Sequence, residues 1–454
     1  TTKIKIIAIP TNLEIVEELG KDTMIGKESN IPMVGAQAKM LDQDTTEIIA
    51  NYGINKDVEN ITPFAAMIRD ERVKVLVRIE DLLKTHFGVF GFTGQGKSNL
   101  MSTLISKVLS DTKEPVKLIL FDLMGEYTTL LVDQLLRNDI DTYILCLGER
   151  SLPGPVFSYV NKDIPQTLEN LDKATESLLR FSLMPKALVP HKVKMRNALK
   201  ILIQKNIIRI FSQAENMTVF DVIYSRDNKE SLTEAVKRLG TEKKNRCKEI
   251  VRESLPAGVV GKMDQTLVTA DIAKSILDKL VKKLEENEDV SKYFDSVVKQ
   301  FQTIQRTMER PIKCSISMTE LIKLLNSGEK SALIVVTTHN PDDLREFAHS
   351  LGEDAYESRR RGGQIEPLVS FVFDEADEFI PQSPSGSYQK SVDIAHTLAR
   401  RGRKFGLGIG IATQRIIYLD TSIMAQPHTY LISKLPRKSD RDRLAEAFGI
   451  SEDI

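Results

Sequence analysis

A short glycine-rich segment carries the clearest chemical signal in the chain. Residues 91–98 read GFTGQGKS, which fits the pattern G-x-x-x-x-G-K-[ST]. An apolar run precedes the segment and a helical pattern follows it, which is the context that this motif requires. Glycines let successive backbone N–H groups face one anion, and the start of the following helix adds its positive end. The segment therefore predicts a loop that binds nucleotide phosphates.

The side chains of this loop have separate tasks. Lys97 would reach the β- and γ-phosphates, and Ser98 would ligate Mg²⁺. The other residues expected to contact nucleotide are Gly91, Thr93, Gly94, Gln95, Gly96 and Asn99. A phosphate loop alone is compatible with a kinase, a GTPase or a motor, so the acidic residues must discriminate among them.

Two adjacent carboxylates end a second apolar run, LVSFVFDE at 368–375. In enzymes with this loop, an aspartate at a strand end holds Mg²⁺, and we assign that task to Asp374. A carboxylate beside it can polarise water for attack on the γ-phosphorus, which we assign to Glu375. We interpret Asp377 and Glu378 as part of a solvated turn or of a helix start.

Another acidic turn, FDLMGEY at 121–127, follows a further apolar run. Ligands collect at the carboxyl ends of parallel strands, so Asp122 and Glu126 would face the same nucleotide. The alternative is that Asp122 caps the next helix, because Asp is favoured at helix N-termini.

Basic residues cluster in ARRGRKFG at 399–406. An arginine beside a neighbouring subunit's γ-phosphate would stabilise charge in the transition state, and the candidates are Arg400, Arg401 and Arg403. A patch for DNA phosphates and a solvated charge run are the alternatives. A second arginine run, RRRGG at 359–363, is interpreted as a flexible surface loop.

Gln414 ends the apolar run that follows the basic turn. Near Asp374, its amide would hydrogen-bond the attacking water or the γ-phosphate and so report the nucleotide state. The alternative is that Gln414 only caps the strand end.

The elements that position these residues are short apolar runs that end in polar or glycine-rich turns. They lie at 87–93, 116–122, 142–148, 332–338, 368–375, 406–414 and 429–435. Strands buried on both faces have this pattern, which is typical of parallel sheets covered by helices. The fold class predicted is α/β.

Domain organisation follows from the spacing of these runs. Residues 1–80 predict a small N-terminal β-rich, barrel-like domain, and 151–328, with long stretches of helical period, predict a large helical insertion. The insertion divides the core into a first part at 81–150 and a second part at 329–454.

Composition narrows the class of protein. The 454 residues contain 63 Lys and Arg and 63 Asp and Glu, which gives a net charge of zero. This excludes a protein whose whole surface is positively charged, but it does not exclude a local basic patch. The three cysteines are far apart, which favours a reducing cytosol over a disulfide framework or metal cluster. No apolar run is long enough for a membrane span, and no signal peptide is evident. We therefore expect a cytoplasmic protein. A first residue other than Met is compatible with either a whole protein or a fragment.

Together, the segments GFTGQGKSN, FDLMGEY, FVFDEADEFIP, ARRGRKFGLGIGIATQR and LPRKSDRDRL resemble the HerA group of the HerA/FtsK superfamily of ring-shaped DNA-translocating ATPases. The resemblance is strong over about 80–150 and 330–450. It implies a RecA-like P-loop NTPase core that uses ATP and Mg²⁺. By position, it implies the roles given above for Lys97, Ser98, Asp374, Glu375 and Gln414, with an arginine finger within 400–403.

The resemblance also implies a homohexamer with ATP at the subunit interfaces and duplex DNA in the central channel. Family members commonly work with a separate nuclease or other effector enzyme, in DNA-end processing or anti-phage defence. The N-terminal segment is short and irregular for a complete barrel, and the family usually continues beyond the position of Ile454. These departures weaken the transfer at both ends of the chain.

Two other functions remain open at this point. The chain would act as an ATP-stabilised scaffold that recruits and activates an effector enzyme, or as a conjugative-transfer ATPase that moves single-stranded DNA or protein. The lack of a membrane-spanning run disfavours the conjugative function.

Overall fold

The computed structural model describes residues 13–16, 24–27, 41–54, 60–68, 70–92, 94, 96–212, 217–224, 231–237, 239–309 and 312–448. Within these residues the protein is a mixed α/β structure built on one large parallel sheet. The predicted α/β class is therefore confirmed. No helix in the described ranges has both the length and the apolar composition that a membrane crossing requires.

The described elements before residue 79 are two antiparallel strand pairs and one helix. They are β1 (Leu13–Val16), β2 (Met24–Lys27), α1 (Gln43–Ala50), β3 (Ile61–Met67) and β4 (Asp70–Arg78). β1 pairs with β2 and β3 pairs with β4, in two separate sheets. Most of 1–40 lies outside the described residues, and the described strands do not close into a barrel, so a barrel-like domain is not confirmed.

Nine strands form the main sheet, and all neighbours in it are parallel. They are β5 (Phe87–Phe90), β6 (Val116–Asp122), β7 (Asp141–Cys146), β8 (Ile208–Phe211), β9 (Ser315–Ile316), β10 (Ala332–Thr337), β11 (Leu368–Phe373), β12 (Leu407–Thr413) and β13 (Thr429–Ile432). Their spatial order is β13, β5, β12, β11, β6, β10, β7, β8, β9. All seven apolar runs are strands of this sheet.

Burial on both faces explains why the central strands are mostly apolar. Every residue of β6 is buried, and successive side chains point to opposite faces. Leu118 and Leu120 join the hydrophobic cluster on one face, and Ile119 and Phe121 join the cluster on the other. The continuous apolar pattern is therefore a consequence of two helical layers.

Helices cover both faces. They are α2 (Ile79–Lys84), α3 (Lys97–Asp111), α4 (Tyr127–Leu130), α5 (Val132–Leu135), α6 (Gly154–Val160), α7 (Leu168–Phe181), α8 (Lys192–Gln204), α9 (Val219–Tyr224), α10 (Leu232–Ala235), α11 (Thr241–Ser254), α12 (Ala270–Glu285), α13 (Glu288–Ser291), α14 (Asp295–Glu309), α15 (Met318–Asn326), α16 (Pro341–Gly362), α17 (Ser387–Arg401), α18 (Thr421–Met424) and α19 (Lys438–Phe448). The cluster on one face includes residues of α2 to α8, and the cluster on the other includes residues of α15 to α19.

The segment 151–328 is mostly helical, and it has two parts that the sequence did not distinguish. Helices α6 to α8 pack on the main sheet, and this segment also supplies β8 and β9 to that sheet. Helices α9 to α14 instead contribute to a separate hydrophobic cluster that includes Val219, Cys247, Leu280 and Phe301. The domain boundaries themselves stay predictions.

The arginine run 359–361 is helical, so its prediction as a flexible surface loop is wrong. α16 continues to Gly362, and Arg359 is fully buried. Its guanidinium donates to the carbonyl oxygens of Leu325, Ile365 and Phe405 at 2.8–3.0 Å. Burial lowers the pKa of Arg359 to about 10. The arginine thus satisfies one carbonyl group near the end of α15 and two just before β11 and β12.

Candidate active site

Four neighbouring strands bring most of the predicted site together. In spatial order, β5, β12, β11 and β6 lead into the phosphate loop, Gln414, the acidic pair and Asp122. Phe373 of β11 is paired with Phe121 of β6 and with Ile411 of β12. Because neighbouring strands are about 5 Å apart, the polar residues after these strands meet at one edge of the sheet. We call it the carboxyl edge.

The phosphate loop has the backbone that its glycines permit. Gly94 and Gly96 have φ angles of 78° and 83°, a region that residues with a Cβ atom rarely adopt. α3 begins at Lys97, and its first-turn N–H groups, which have no partners within the helix, adjoin the loop. Ser98 and Asn99 lie in this first turn, whereas Thr93 and Gln95 lie outside the described residues.

Lys97 and the acidic pair form a largely buried ion cluster. The Lys97 Nζ atom lies 3.1 Å from Oδ1 of Asp374 and 3.0 Å from Oε1 of Glu375. Burial disfavours the charged ammonium, but the two carboxylates together raise the pKa of Lys97 above its ordinary value. Phosphate oxygens of a nucleotide would compete with these carboxylates for the same ammonium donors.

Glu375 combines an unusual backbone with a perturbed carboxyl group. Its φ angle is 49°, in the left-handed region. Burial raises the pKa of its carboxyl group, and the nearby Lys97 opposes that rise only in part. The Gln414 amide donates to Oε1 of Glu375 at 3.3 Å. The side chain predicted to activate water and the side chain predicted to sense it are therefore in contact.

Asp122 has the capping contacts that the sequence left as its alternative role. Its carboxylate accepts from the backbone N–H groups of Gly125, Glu126 and Tyr127 at 2.8, 3.2 and 2.9 Å. Burial raises the pKa of Asp122 to about 7, although these donors stabilise its charge. Glu126 is half-buried in the same turn. Contact of Asp122 or Glu126 with nucleotide stays a prediction.

Asp377 and Thr413 belong to the site, although the sequence placed Asp377 in a solvated turn or a helix start. Asp377 is buried, and Thr413 Oγ1 donates to its Oδ1 at 2.6 Å. Arg415 approaches Asp377 at 3.7 Å and Glu378 at 3.6 Å. These contacts join the exit of β11 to the exit of β12 and hold Gln414 between them. Asp377 lies in a short 3-10 helix, Ala376–Glu378, which agrees with the helix-start alternative. The solvated-turn alternative is wrong for Asp377, because its buried carboxylate has partners on a distant segment.

The basic turn lies at the other end of the strands, which we call the amino edge. Arg400, Arg401 and Arg403 are exposed at the end of α17 and in the 3-10 turn before β12. β12 is 7 residues long, so the turn is roughly 20 Å from Gln414 of its own chain. The arginines are therefore not part of the cluster around Lys97, and any contact with a γ-phosphate would require a neighbouring subunit.

His86 anchors the amino edge. Ile409 donates its N–H to Nδ1 of His86 at 3.0 Å, and Nε2 lies 2.9 Å from the carbonyl oxygen of Ala399. Nδ1 is thus the acceptor, and Nε2 carries the proton in a neutral ring. Burial, with smaller effects of His428 and Arg403, lowers the pKa of His86 to about 4. The ring ties the residue before β5 to the basic turn and to β12.

The donors at the carboxyl edge fit a magnesium site that uses substrate oxygens. Mg²⁺ is usually bound through one or two carboxylates together with substrate phosphates and water. Ser98 and Asp374 offer a hydroxyl and a carboxylate oxygen there. In the described part of the chain, no group of three or more His, Cys, Asp and Glu side chains forms a self-sufficient metal site.

Comparison with known proteins agrees with this geometry. Residues 64–343, more than half of the chain, match the family model described as "Helicase HerA, central domain". The chain is 22% identical over 380 residues to the DNA double-strand break repair helicase HerA of Pyrococcus furiosus, covering 83% of this chain and 61% of that protein. A probable helicase of Methanocaldococcus jannaschii is 21% identical over 407 residues, covering 84% of this chain and 62% of that protein. The chain thus spans about three fifths of the length of these curated relatives.

Two solved structures resemble the chain more weakly. VirB4 of Thermoanaerobacter pseudethanolicus has a TM-score of 0.42 and 14% identity, covering 88% of this chain and 90% of that chain. The plasmid coupling protein TrwB, in complex with the non-hydrolysable ATP analogue ADPNP, has a TM-score of 0.37 and 12% identity, covering 90% of this chain and 76% of that chain.

Proposed function

The chain belongs to the HerA helicase central-domain family, and from this premise we propose that it is an oligomeric ATPase that couples ATP hydrolysis to movement along duplex DNA. The observation that carries the proposal is the cluster of Lys97, Asp374, Glu375 and Gln414 at one edge of the sheet. These four side chains are the types needed to hold phosphates, bind a divalent metal, activate water and sense the γ-phosphate.

Each residue has a task that its geometry supports. Lys97 would bind the β- and γ-phosphates, and Ser98 and Asp374 would hold Mg²⁺, which neutralises phosphate charge when bound. Glu375 would accept a proton from the attacking water, because its raised pKa makes it a better base than an ordinary carboxylate. Gln414, in contact with Glu375, would orient that water.

The proposal includes a homohexamer with ATP between subunits. The exposed basic turn lies at the opposite edge of the sheet from the cluster around Lys97, which we call the ATP cluster. A head-to-tail ring would bring the basic turn of one subunit to the ATP cluster of the next. One of Arg400, Arg401 and Arg403 would then stabilise the transition state. DNA phosphates would be contacted without regard to sequence by loops of the core.

A separate nuclease or other effector enzyme completes the proposal, which concerns DNA-end processing or anti-phage defence. Its support is the family membership and the name of the Pyrococcus relative, a DNA double-strand break repair helicase. The chain spans only part of its relatives, so these activities and a cytoplasmic location are proposals for the whole protein.

The first experiment compares ATPase rates of the wild-type chain and Lys97→Ala, with and without duplex DNA. We expect DNA to stimulate the wild-type rate, and Lys97→Ala to lose hydrolysis because the phosphates lose their cation. Lys107→Ala, on the same helix but paired with Asp111, is the control and should keep its rate. If DNA does not change the wild-type ATPase rate, but hydrolysis is required for activity of the effector enzyme, the result would instead support the scaffold function.

The second experiment tests the basic turn with Arg400→Ala, Arg401→Ala and Arg403→Ala, each measured for ATPase rate and for particle mass with ATP and DNA. We expect one variant to lose hydrolysis while its mass stays six times that of the chain. Arg360→Ala, another exposed arginine near the amino edge, is the control. A variant that loses the ring together with its activity would show a structural role.

A further inference from the structure

Tyr127 lies at the carboxyl edge, in the turn that follows β6, and none of the tasks proposed so far uses its side chain. It begins α4 directly after the Asp122 turn, and its backbone N–H donates to Oδ2 of Asp122 at 2.9 Å. The side chain is fully buried, in the same hydrophobic cluster as Met101 and Leu104 of α3. The ring therefore has a fixed place between the phosphate-loop helix and the acidic strand ends.

The hydroxyl group of Tyr127 is buried without a hydrogen-bond partner among the described residues. Burial, followed by the negative charges of Asp374 and Asp122, raises the pKa of this phenol well above its usual value. A buried donor without an acceptor costs about 1–3 kcal/mol. Such a group requires a physical explanation.

Asp374 is the acceptor that this hydroxyl can serve. Asp374 follows β11 at the strand end that is paired with the end of β6, before the Tyr127 turn. Its charge acts on the Tyr127 phenol more strongly than the charge of Asp122 does, and its carboxylate accepts from Lys97 at 3.1 Å. Asp122, the other carboxylate nearby, already accepts three backbone N–H groups. Asp374 is only 3% exposed, so water cannot readily replace a donor that it loses.

We propose that Tyr127 is a positioning residue whose hydroxyl donates to Asp374 when nucleotide phosphates engage Lys97. The Tyr127 hydroxyl then replaces the hydrogen bond that Asp374 loses when the Lys97 ammonium binds the phosphates. It also fixes the Asp374 carboxylate in the orientation that ligates Mg²⁺. This inference rests on the proposed ATPase function. A single donor of this kind behind a metal ligand commonly changes metal affinity.

The test uses Tyr127→Phe, which removes only the hydroxyl oxygen, in the full chain. Binding of a non-hydrolysable ATP analogue is followed by calorimetry while Mg²⁺ is titrated. We expect the variant to need roughly ten times more Mg²⁺ for half-maximal enhancement of binding. Binding of the analogue in EDTA should not change, and the melting temperature without nucleotide should be unchanged or higher, because an unpaired buried hydroxyl has been removed.

Two further variants separate positioning from packing. Tyr356→Phe changes an equally aromatic, buried position in the cluster on the opposite face of the sheet, next to Phe405, and it should keep the wild-type Mg²⁺ dependence. In an Asp374→Asn background, Tyr127→Phe should have no additional effect on Mg²⁺ dependence, because the carboxylate it serves is gone.

The outcomes are distinguishable. Equal Mg²⁺ dependence in wild type and Tyr127→Phe would overturn the positioning role and leave the ATPase proposal intact. Weaker binding in EDTA together with a lower melting temperature would also overturn it, in favour of simple packing. If the wild-type chain bound the analogue with no Mg²⁺ dependence, the proposed metal site itself would fail.

Discussion

The two edges of the main sheet hold charged side chains with different kinds of partner. At the carboxyl edge, most charged groups pair with one another: Lys97 contacts Asp374 and Glu375, and Asp377 contacts Arg415. Asp122, which accepts backbone N–H groups, is an exception. At the amino edge, Arg359 and His86 bind mostly backbone groups, and the basic turn between them is exposed. Side-chain pairs can exchange partners when a ligand arrives, whereas backbone anchors fix a position. The comparison indicates that one edge is built for chemistry and the other for presenting a rigid basic surface.

The largest effect should follow Glu375→Gln at the carboxyl edge. The amide keeps the size of the side chain but cannot accept a proton from water, so we expect turnover to fall by about a thousandfold or more. Binding of an ATP analogue, measured by calorimetry, should persist. Glu378→Gln, three residues further on, is the control and should lose much less activity. A near-normal ATPase rate in Glu375→Gln would remove the general-base assignment.

At the amino edge, Arg359→Ala should reduce stability rather than chemistry. It leaves three carbonyl oxygens without their donor, and the hydrogen bond to one of them, that of Leu325, is buried. We therefore expect the free energy of unfolding to fall by roughly 4 kcal/mol. Arg360→Ala, its exposed neighbour, should change it by less than about 0.5 kcal/mol. Denaturant unfolding of both variants measures the difference. Similar values would mean that the amino edge does not depend on its buried anchor.

The His86 anchor should also make stability depend on pH. Its pKa is about 4 in the folded chain, against an ordinary value of 6.5 for histidine, so the unfolded chain binds the extra proton first as pH falls. The stabilisation is complete above about pH 7 and is lost between pH 6.5 and 4, on the order of 3 kcal/mol in total. Unfolding free energies over this window should fall less steeply for His86→Gln than for wild type. The control His191→Gln, at an exposed site, should follow the wild-type slope; parallel curves for all three chains would contradict the anchor.

The smallest effect should come from Thr413→Val, which keeps the shape of the side chain. It removes the hydrogen bond to Asp377 and loosens the strand end that holds Gln414. We expect kcat to fall roughly tenfold, the range that one positioned hydrogen bond supplies, with little change in KM. Thr397→Val on α17 is the control. An unchanged kcat would show that the contact between Asp377 and Thr413 has no part in positioning Gln414.

The strands and the central residues of the site could be predicted because their signals are local. A strand such as β6, with the sequence VKLILFD, is mostly apolar, and Lys97, Asp374, Glu375 and Gln414 each follow a strand of this kind. Parallel topology alone then places those residues at one edge. In contrast, β8 has the sequence IRIF, which Arg209 interrupts, and β9 has only 2 residues. Neither forms a continuous apolar run within the long helical segment.

The missed residues depend on contacts between distant segments. Asp377 has the composition of a solvated turn, and only Thr413, 36 positions away, shows why it is buried. Arg359 stands in a run of three arginines beside two glycines, and one of its acceptors, Phe405, is 46 positions away. Chain composition cannot distinguish a buried charge with such partners from an exposed one.

The backbone at Glu375 has a consequence for how this site can change under selection. A left-handed conformation with a φ angle of 49° suits glycine or asparagine better than glutamate, and the mismatch costs on the order of 1 kcal/mol. Glu375→Gly would therefore be favoured in a library sorted only for thermal resistance, and the same substitution would be lost from a library sorted for ATP turnover. A position at which the two selections favour different residues is one where the residue needed for activity lowers stability.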